Sequence, residues 1–214
     1  MDTKNIEVEL RGPLGETGYQ KLMSVLQTRG TLINTQNRFL LDYSTFLEGI
    51  GERTLDVRVR TTNGKVEIVV KKGKFGGTSR EEVSLFPADQ NFENTLKFMS
   101  MLGYNKAVAC DRGITRYVID DIEFAIQDVN DYTHQGKIHS RFYEAEIMCS
   151  NENEKDNAVE KIRAFLSENG LSEFSETDWN SYVKKMNEEA NGVFDYQIDS
   201  VEKVKKLGQK SNGN

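Results

Sequence analysis

A chain of 214 residues is long enough for one domain with a sizeable core plus an appendage, and its 34 acidic against 28 basic residues leave a formal charge of −6. That balance excludes bulk electrostatic binding to nucleic acid, which needs a basic face, but not a small basic pocket inside an acidic protein. Cys110 and Cys149 form no Cys-x-x-Cys pair, no apolar run nears the roughly 20 residues of a membrane span, and the charged opening lacks a signal-peptide core, so a cytoplasmic protein with no membrane attachment is expected.

Ile6, Val8 and Leu10 alternate with Glu7, Glu9 and Arg11, which predicts a strand broken at Gly12-Pro13. Tyr19, Leu22, Met23, Val25 and Leu26 recur at helical spacing until Gly30 stops them, and 31–43 reads as a strand, with Gly49 and Gly51 marking a loop after it. Leu55, Val57 and Val59 alternate with Asp56, Arg58 and Arg60. Asn63-Gly64 then supplies a tight turn into a return strand at 66–72, so this pair is a predicted hairpin. Beyond the glycine-rich 73–77, a strand sets Arg80, Glu82 and Ser84 against Glu81, Val83 and Leu85. Residues 89–102 are helical by pattern, followed by extended stretches near 106–119, 122–129 and 141–149. Two amphipathic helices follow, one with Val159, Ile162, Phe165 and Leu166 on its apolar face, the other with Trp179, Tyr182, Val183 and Met186. A domain over 1–188 and a polar tail over 189–214 are expected, with 208–214 disordered.

The polar faces of these strands carry Glu-x-Glu-x-Arg, Arg-x-Arg, Arg-x-Glu and Glu-x-Glu in turn. Side chains two apart on a strand share a face, about 7 Å from one another. A single such set is an ordinary solvated face. Four of them turned inward in one sheet would line a channel with both signs of charge. A divalent cation between carboxylates, and a polyanion between the cation and the arginines, would balance that interior.

The order of the sets resembles the CYTH (cyclase and thiamine triphosphatase-like) family of triphosphate tunnel metalloenzymes. The resemblance is carried by IEVELR at 6–11, LDVRVR at 55–60, KKG at 71–73, SREE at 79–82, DRGITRY at 111–117, the strand ending in Asp128, FYEAEI at 142–147 and Ser181-Tyr182, and it spans about residues 5–186. It implies an α+β fold built on a closed eight-stranded antiparallel β-barrel, a tunnel flanked by helices, that handles triphosphates with Mg2+ or Mn2+. Carried over by position, Glu7, Glu9, Glu146 and Asp128 are the implied metal ligands. Arg58, Arg60, Lys71, Lys72, Arg80, Arg112 and Arg116 are the implied phosphate binders, Glu82 orients them, and Arg11 and Glu144 are the implied catalytic pair. Arg11 stands where the family has a lysine, and unlike lysine it is effectively never neutral, so it suits phosphate binding better than base chemistry. Spacing to Gly73 favours Lys72 as the inward residue, whereas strand alternation favours Lys71.

The expected partner is a small molecule containing a triphosphate, and homodimer formation is left open. The leading expectation is hydrolysis of tripolyphosphate, a nucleoside triphosphate or thiamine triphosphate. An adenylyl cyclase making cyclic AMP shares nearly all these ligands, although no base pocket is legible. A non-catalytic polyphosphate or nucleotide sensor is the third reading. His134 and His139 are expected to be solvent-exposed loop residues rather than ligands.

Overall fold

In the computed structural model, residues 6–44, 53–132 and 137–199 are described; Gly49, Gly51, His134 and the final residues 200–214 lie outside them. The chain order is β1 (Ile6–Pro13), α1 (Glu16–Arg29), β2 (Thr31–Asp42), β3 (Leu55–Thr62), β4 (Lys65–Lys72), β5 (Ser79–Leu85), α2 (Phe92–Met101), β6 (Lys106–Ile119), β7 (Ile122–Asn130), β8 (Ile138–Cys149), α3 (Lys155–Glu168), α4 (Glu176–Glu189) and β9 (Gly192–Asp195). All strand pairings are antiparallel, in the spatial order β2-β3-β4-β5-β1-β8-β7-β6-β9, and β2 also pairs with β6.

Eight strands thus stand in a ring, but the sheet is not the closed eight-stranded barrel expected from the resemblance. β1 and β5 meet over only three residue pairs, Ile6 with Glu81, Glu7 with Arg80 and Val8 with Ser79. Past the bond from Glu9 N–H to Thr78 O, the free edge of β1 is taken by the loop before α4, where Phe174 N–H donates to Arg11 O. The sheet also gains a ninth strand. The first four residues of β6, which reach past β7, pair with β9 in a stretch that reads in the sequence as polar tail.

Local chemistry accounts for most elements. Thr62 and Lys65 pair across Asn63-Gly64, whose φ values of 49° and 82° are those of a two-residue hairpin turn. The helix expected from residue 89 starts at Phe92, because Asn91 caps it by accepting from Asn94 N–H. β1 runs through the predicted break. Leu14 N–H bonds Arg141 O, so the backbone N–H and C=O groups of the even-numbered residues of β1 point at β8, and the N–H that Pro13 lacks would point away from β8.

Helices cover most of the apolar outward faces of the ring, although Val83 and Leu85 of β5 stay exposed. α1 and α3 bury Leu22, Leu26, Ile162 and Phe165 against Val8, Leu10, Phe124 and Ala145. Each such side chain contributes about 1.5–3 kcal/mol by leaving water. α2 packs Leu96 and Met99 against Phe39, Val57, Val59 and Phe194 of β9. α4 lies across one end of the ring, where Trp179, Val183 and Met186 meet Phe75, Val129 and Phe142. A capping box between Ser175 and Asp178 fixes the start of that helix. With most of the outer faces committed to helices, the charged faces turn inward.

Candidate active site

The ring encloses a cavity of about 270 Å3 lined mostly by charged side chains, with α4 forming one end through Trp179, Val183, Met186 and Asn187. β1 contributes Glu7, Glu9 and Arg11, and the register sets Glu9 beside Glu146 and Arg11 beside Glu144 on β8. Glu7, Glu9 and Glu146 each bring a carboxylate oxygen to within 4.8 Å of the other two. Arg11 is buried, ion-paired to Glu9, 3.5 Å from Glu144 and over the ring of Trp179.

Burial pushes the Glu9 carboxyl up to about 8, with Arg11 pulling the other way and Glu144 adding to the rise. Burial, reinforced by Glu9, Glu144 and Glu7, likewise holds Glu146 well above the usual carboxylate range. Glu144 goes the other way. Burial opposes its charge, but Arg11, a hydrogen bond with Glu9, Lys71 and Arg116 hold it at about 2. Gln127 Nε2 also donates to it at 2.7 Å. Crowded carboxylates of this kind repel one another in the absence of a cation.

β2, β3 and β6, on the far side of the ring from β1, form a basic arc. Arg58 is held bidentate by Asp56, with nitrogen–oxygen distances of 2.9 and 2.6 Å, and lies 3.4 Å from Asp42. Arg60 pairs with Glu67 and sits 3.6 Å from Glu82. Arg116 pairs with Glu123 and reaches to 3.9 Å from Glu146. Arg112 is buried and donates to Asp111 O, Asn191 Oδ1 and the Met186 sulfur, toward the α4 end. Between the arcs, Lys71 bridges Glu7 at 3.0 Å and Glu82 at 2.6 Å, and Arg80 joins Asp56 at 3.0 Å to Glu9 at 3.8 Å.

Two expected site residues lie elsewhere. Lys72 is exposed: Lys71 shares the inward face with Val69 and Glu67, so the next residue points out. Asp128 shares the outward face of β7 with Phe124 and Ile126 and binds Arg141 at 2.7 Å, while Gln127 points into the cavity. His139 is exposed and pairs with Glu189. Several carboxylates that pair with the cavity's cations were not singled out from the sequence. Asp56 was visible in the alternation with Arg58 and Arg60. Asp42, Glu67 and Glu123 belong to none of the alternating charged sets that stand out in the sequence. Arg38 also lines the cavity.

The three grouped carboxylates suit a hard divalent cation such as Mg2+ or Mn2+. They offer only oxygen donors, and such an ion would offset both the burial and the neighbouring carboxylates that raise Glu9 and Glu146. Among the described residues no helix is long and apolar enough to cross a membrane.

No protein-family model matches the chain, and no curated protein sequence matches it. Solved structures do. The PH1819 protein of Pyrococcus horikoshii OT3 superposes with a TM-score of 0.62 at 16% identity, covering 84% of this chain and 99% of that one. A candidate adenylate cyclase from Vibrio parahaemolyticus gives 0.58 at 13% identity over 81% of this chain and 91% of its own. A candidate adenylyl cyclase from Hippeastrum, reported to have a dominant triphosphatase activity, gives 0.50 at 16% identity over 79% of this chain and 89% of its own. At these identities the likeness is one of fold, and the chain has the fold of the CYTH, or triphosphate tunnel metalloenzyme, family.

Proposed function

We propose that the protein is a divalent-metal-dependent triphosphate hydrolase, acting on tripolyphosphate, a nucleoside triphosphate or thiamine triphosphate. The observation that carries this reading is the facing of a carboxylate triad, Glu7, Glu9 and Glu146, by a basic arc across one cavity. The triad would hold Mg2+ or Mn2+, which when bound supplies Lewis-acid polarisation of phosphoryl oxygens and a more acidic water. Arg60 and Arg116, aimed by Glu67 and Glu123, clamp phosphate oxygens with the guanidinium fork, and Lys71, held by Glu82, adds a point charge between the arcs. Arg58 and Arg80, both tied to Asp56, complete the wall, and Arg112 serves the α4 end. These fixed cations oppose the charge that builds on the transferred phosphoryl group. Glu144 stays ionised and accepts a hydrogen bond from the attacking water. Its lowered pKa makes it a positioner of that water more than a strong base.

Hydrolysis is favoured over cyclisation by the Hippeastrum protein, a cyclase candidate of the same fold whose dominant activity is that of a triphosphatase. The test is a combined phosphate-release and cyclic-nucleotide assay over tripolyphosphate, ATP, GTP and thiamine triphosphate with Mg2+ and Mn2+. Phosphate release without cyclic product is expected. Glu9→Gln should lose that turnover while keeping its circular dichroism spectrum; unchanged turnover at saturating Mn2+ would remove the metal assignment.

A further inference from the structure

Arg38 stands apart among the cavity cations: Arg112 also lacks a carboxylate partner among the described residues, but it donates to three acceptors. Arg11, Arg58, Arg60, Lys71, Arg80 and Arg116 each have a carboxylate within ion-pair distance. Arg38 has none among the described residues; its Nε donates to Thr62 Oγ1 at 3.1 Å. The register places it on β2 directly beside Arg112 of β6 and Thr62 of β3, with Arg60 and Arg116 on the same two flanking strands. β2 is also the strand that lies across the ring from β1, which carries Glu7 and Glu9. A guanidinium that is largely withdrawn from water and flanked by two others is costly unless an anion completes the set. Burial first, then Arg60 and Arg116, pull its pKa down to about 9.

We propose that Arg38 is a substrate-binding residue, holding phosphate oxygens of a polyphosphate at the wall opposite the carboxylate triad. This rests on the reading of the cavity as a triphosphate site and adds to it the anchor at the far wall. Phosphate suits the position because a guanidinium fork can engage two of its oxygens at once, and the flanking arginines offer further donors to the same chain. The ligand class is therefore a linear polyphosphate long enough to span from triad to arc, whether free or carried on an organic group.

The experiment is titration calorimetry of sodium tripolyphosphate into wild type, Arg38→Gln, Arg38→Lys and Lys97→Gln, in EDTA and again with Mn2+. Lys97 is an exposed residue of α2 and controls for the change in net charge. Arg38→Gln should bind about tenfold more weakly or worse, the scale of one charge-assisted hydrogen bond, with Arg38→Lys between it and wild type and Lys97→Gln unchanged. The melting temperature of ligand-free Arg38→Gln should equal or exceed that of wild type, since a repelled charge has been removed. Equal affinity of wild type and Arg38→Gln would overturn the assignment while leaving the triphosphate site standing. A lowered melting temperature with equal affinity losses in the Gln and Lys variants would make Arg38 structural and also overturn it. If wild type binds tripolyphosphate in neither condition, the triphosphate reading itself falls.

Discussion

Arg11 lies in the cavity wall between Glu9 and Glu144, with its guanidinium carbon 5.0 Å from the centre of the Trp179 ring. Its neighbours raise its pKa despite burial, so it remains charged through the working range and cannot serve as a base. It acts instead as a fixed charge that holds Glu144 ionised. Arg11→Lys keeps that charge, so the turnover rate on tripolyphosphate with Mn2+ should stay within about tenfold of wild type, or about 1.4 kcal/mol of barrier. An inactive wild type with an active Arg11→Lys would instead make the natural protein a sensor that binds without turning over. Residues such as Glu7, Glu9, Arg11, Glu144 and Glu146 were legible in the sequence because each belongs to an alternating charged pair or triplet. Arg38 and Glu123 were not. A lone charge on a strand looks the same whether it faces water or a cavity, and only strand register tells them apart.

At the scale of the element, β1 shows how a strand can be charged on one face and sealed on the other. Gly12 follows Val8 and Leu10 on the outward face, where a Cβ would come within 1.9 Å of Ser172 O and 2.4 Å of the Tyr143 hydroxyl. Those two groups are hydrogen-bonded to each other at 2.8 Å, so the close approach ties the segment before α4 to β8 over the glycine. Gly12→Ala should therefore destabilise the protein by about 3 kcal/mol, read from the midpoint of urea unfolding, because backbone has to move. A cost under about 0.5 kcal/mol, the scale of an ordinary surface change, would show that the loop yields freely. In the sequence Gly12-Pro13 reads as a strand break; the structure uses the glycine for clearance and leaves the proline where no ladder bond is lost. The Lys71–Lys72 choice was decided in the same way, by the period-two alternation of β4 rather than by distance to Gly73.

Across the whole molecule, the interior carries its charges as one connected set, and Asp56 is a hub of it. It binds Arg58 and Arg80 and accepts from Ser44. Burial works against its charge, but Arg58, Arg80 and Ser44 hold its pKa well below the usual range. A carboxylate with a lowered folded-state pKa contributes stability that is complete above its unfolded value, about 3.9, and is lost as the pH falls below it. Its share of the thermal midpoint should therefore be flat near neutrality and be lost below about pH 4, whereas the raised Glu9 works the other way and removes stability as the pH rises from its unfolded value toward about 8. Asp56→Asn should be less stable at pH 7 by about 3–5 kcal/mol, the cost of stripping a buried cation of its partner, and should lose less on acidification. Parallel acid limbs in the two proteins would show that the acid sensitivity comes from elsewhere. The sequence by itself determined the alternating strands, their charged faces and the hairpin at Asn63-Gly64, because period-two patterning and turn chemistry are local properties. Only the tertiary structure decided that the ring is left open along β1, that β9 extends the sheet from a stretch with little apolar content, and that Asp128 and Lys72 face away from the cavity. Those outcomes depend on which strand edges find partners and which faces the helices cover, and both are set by contacts between residues far apart in the chain.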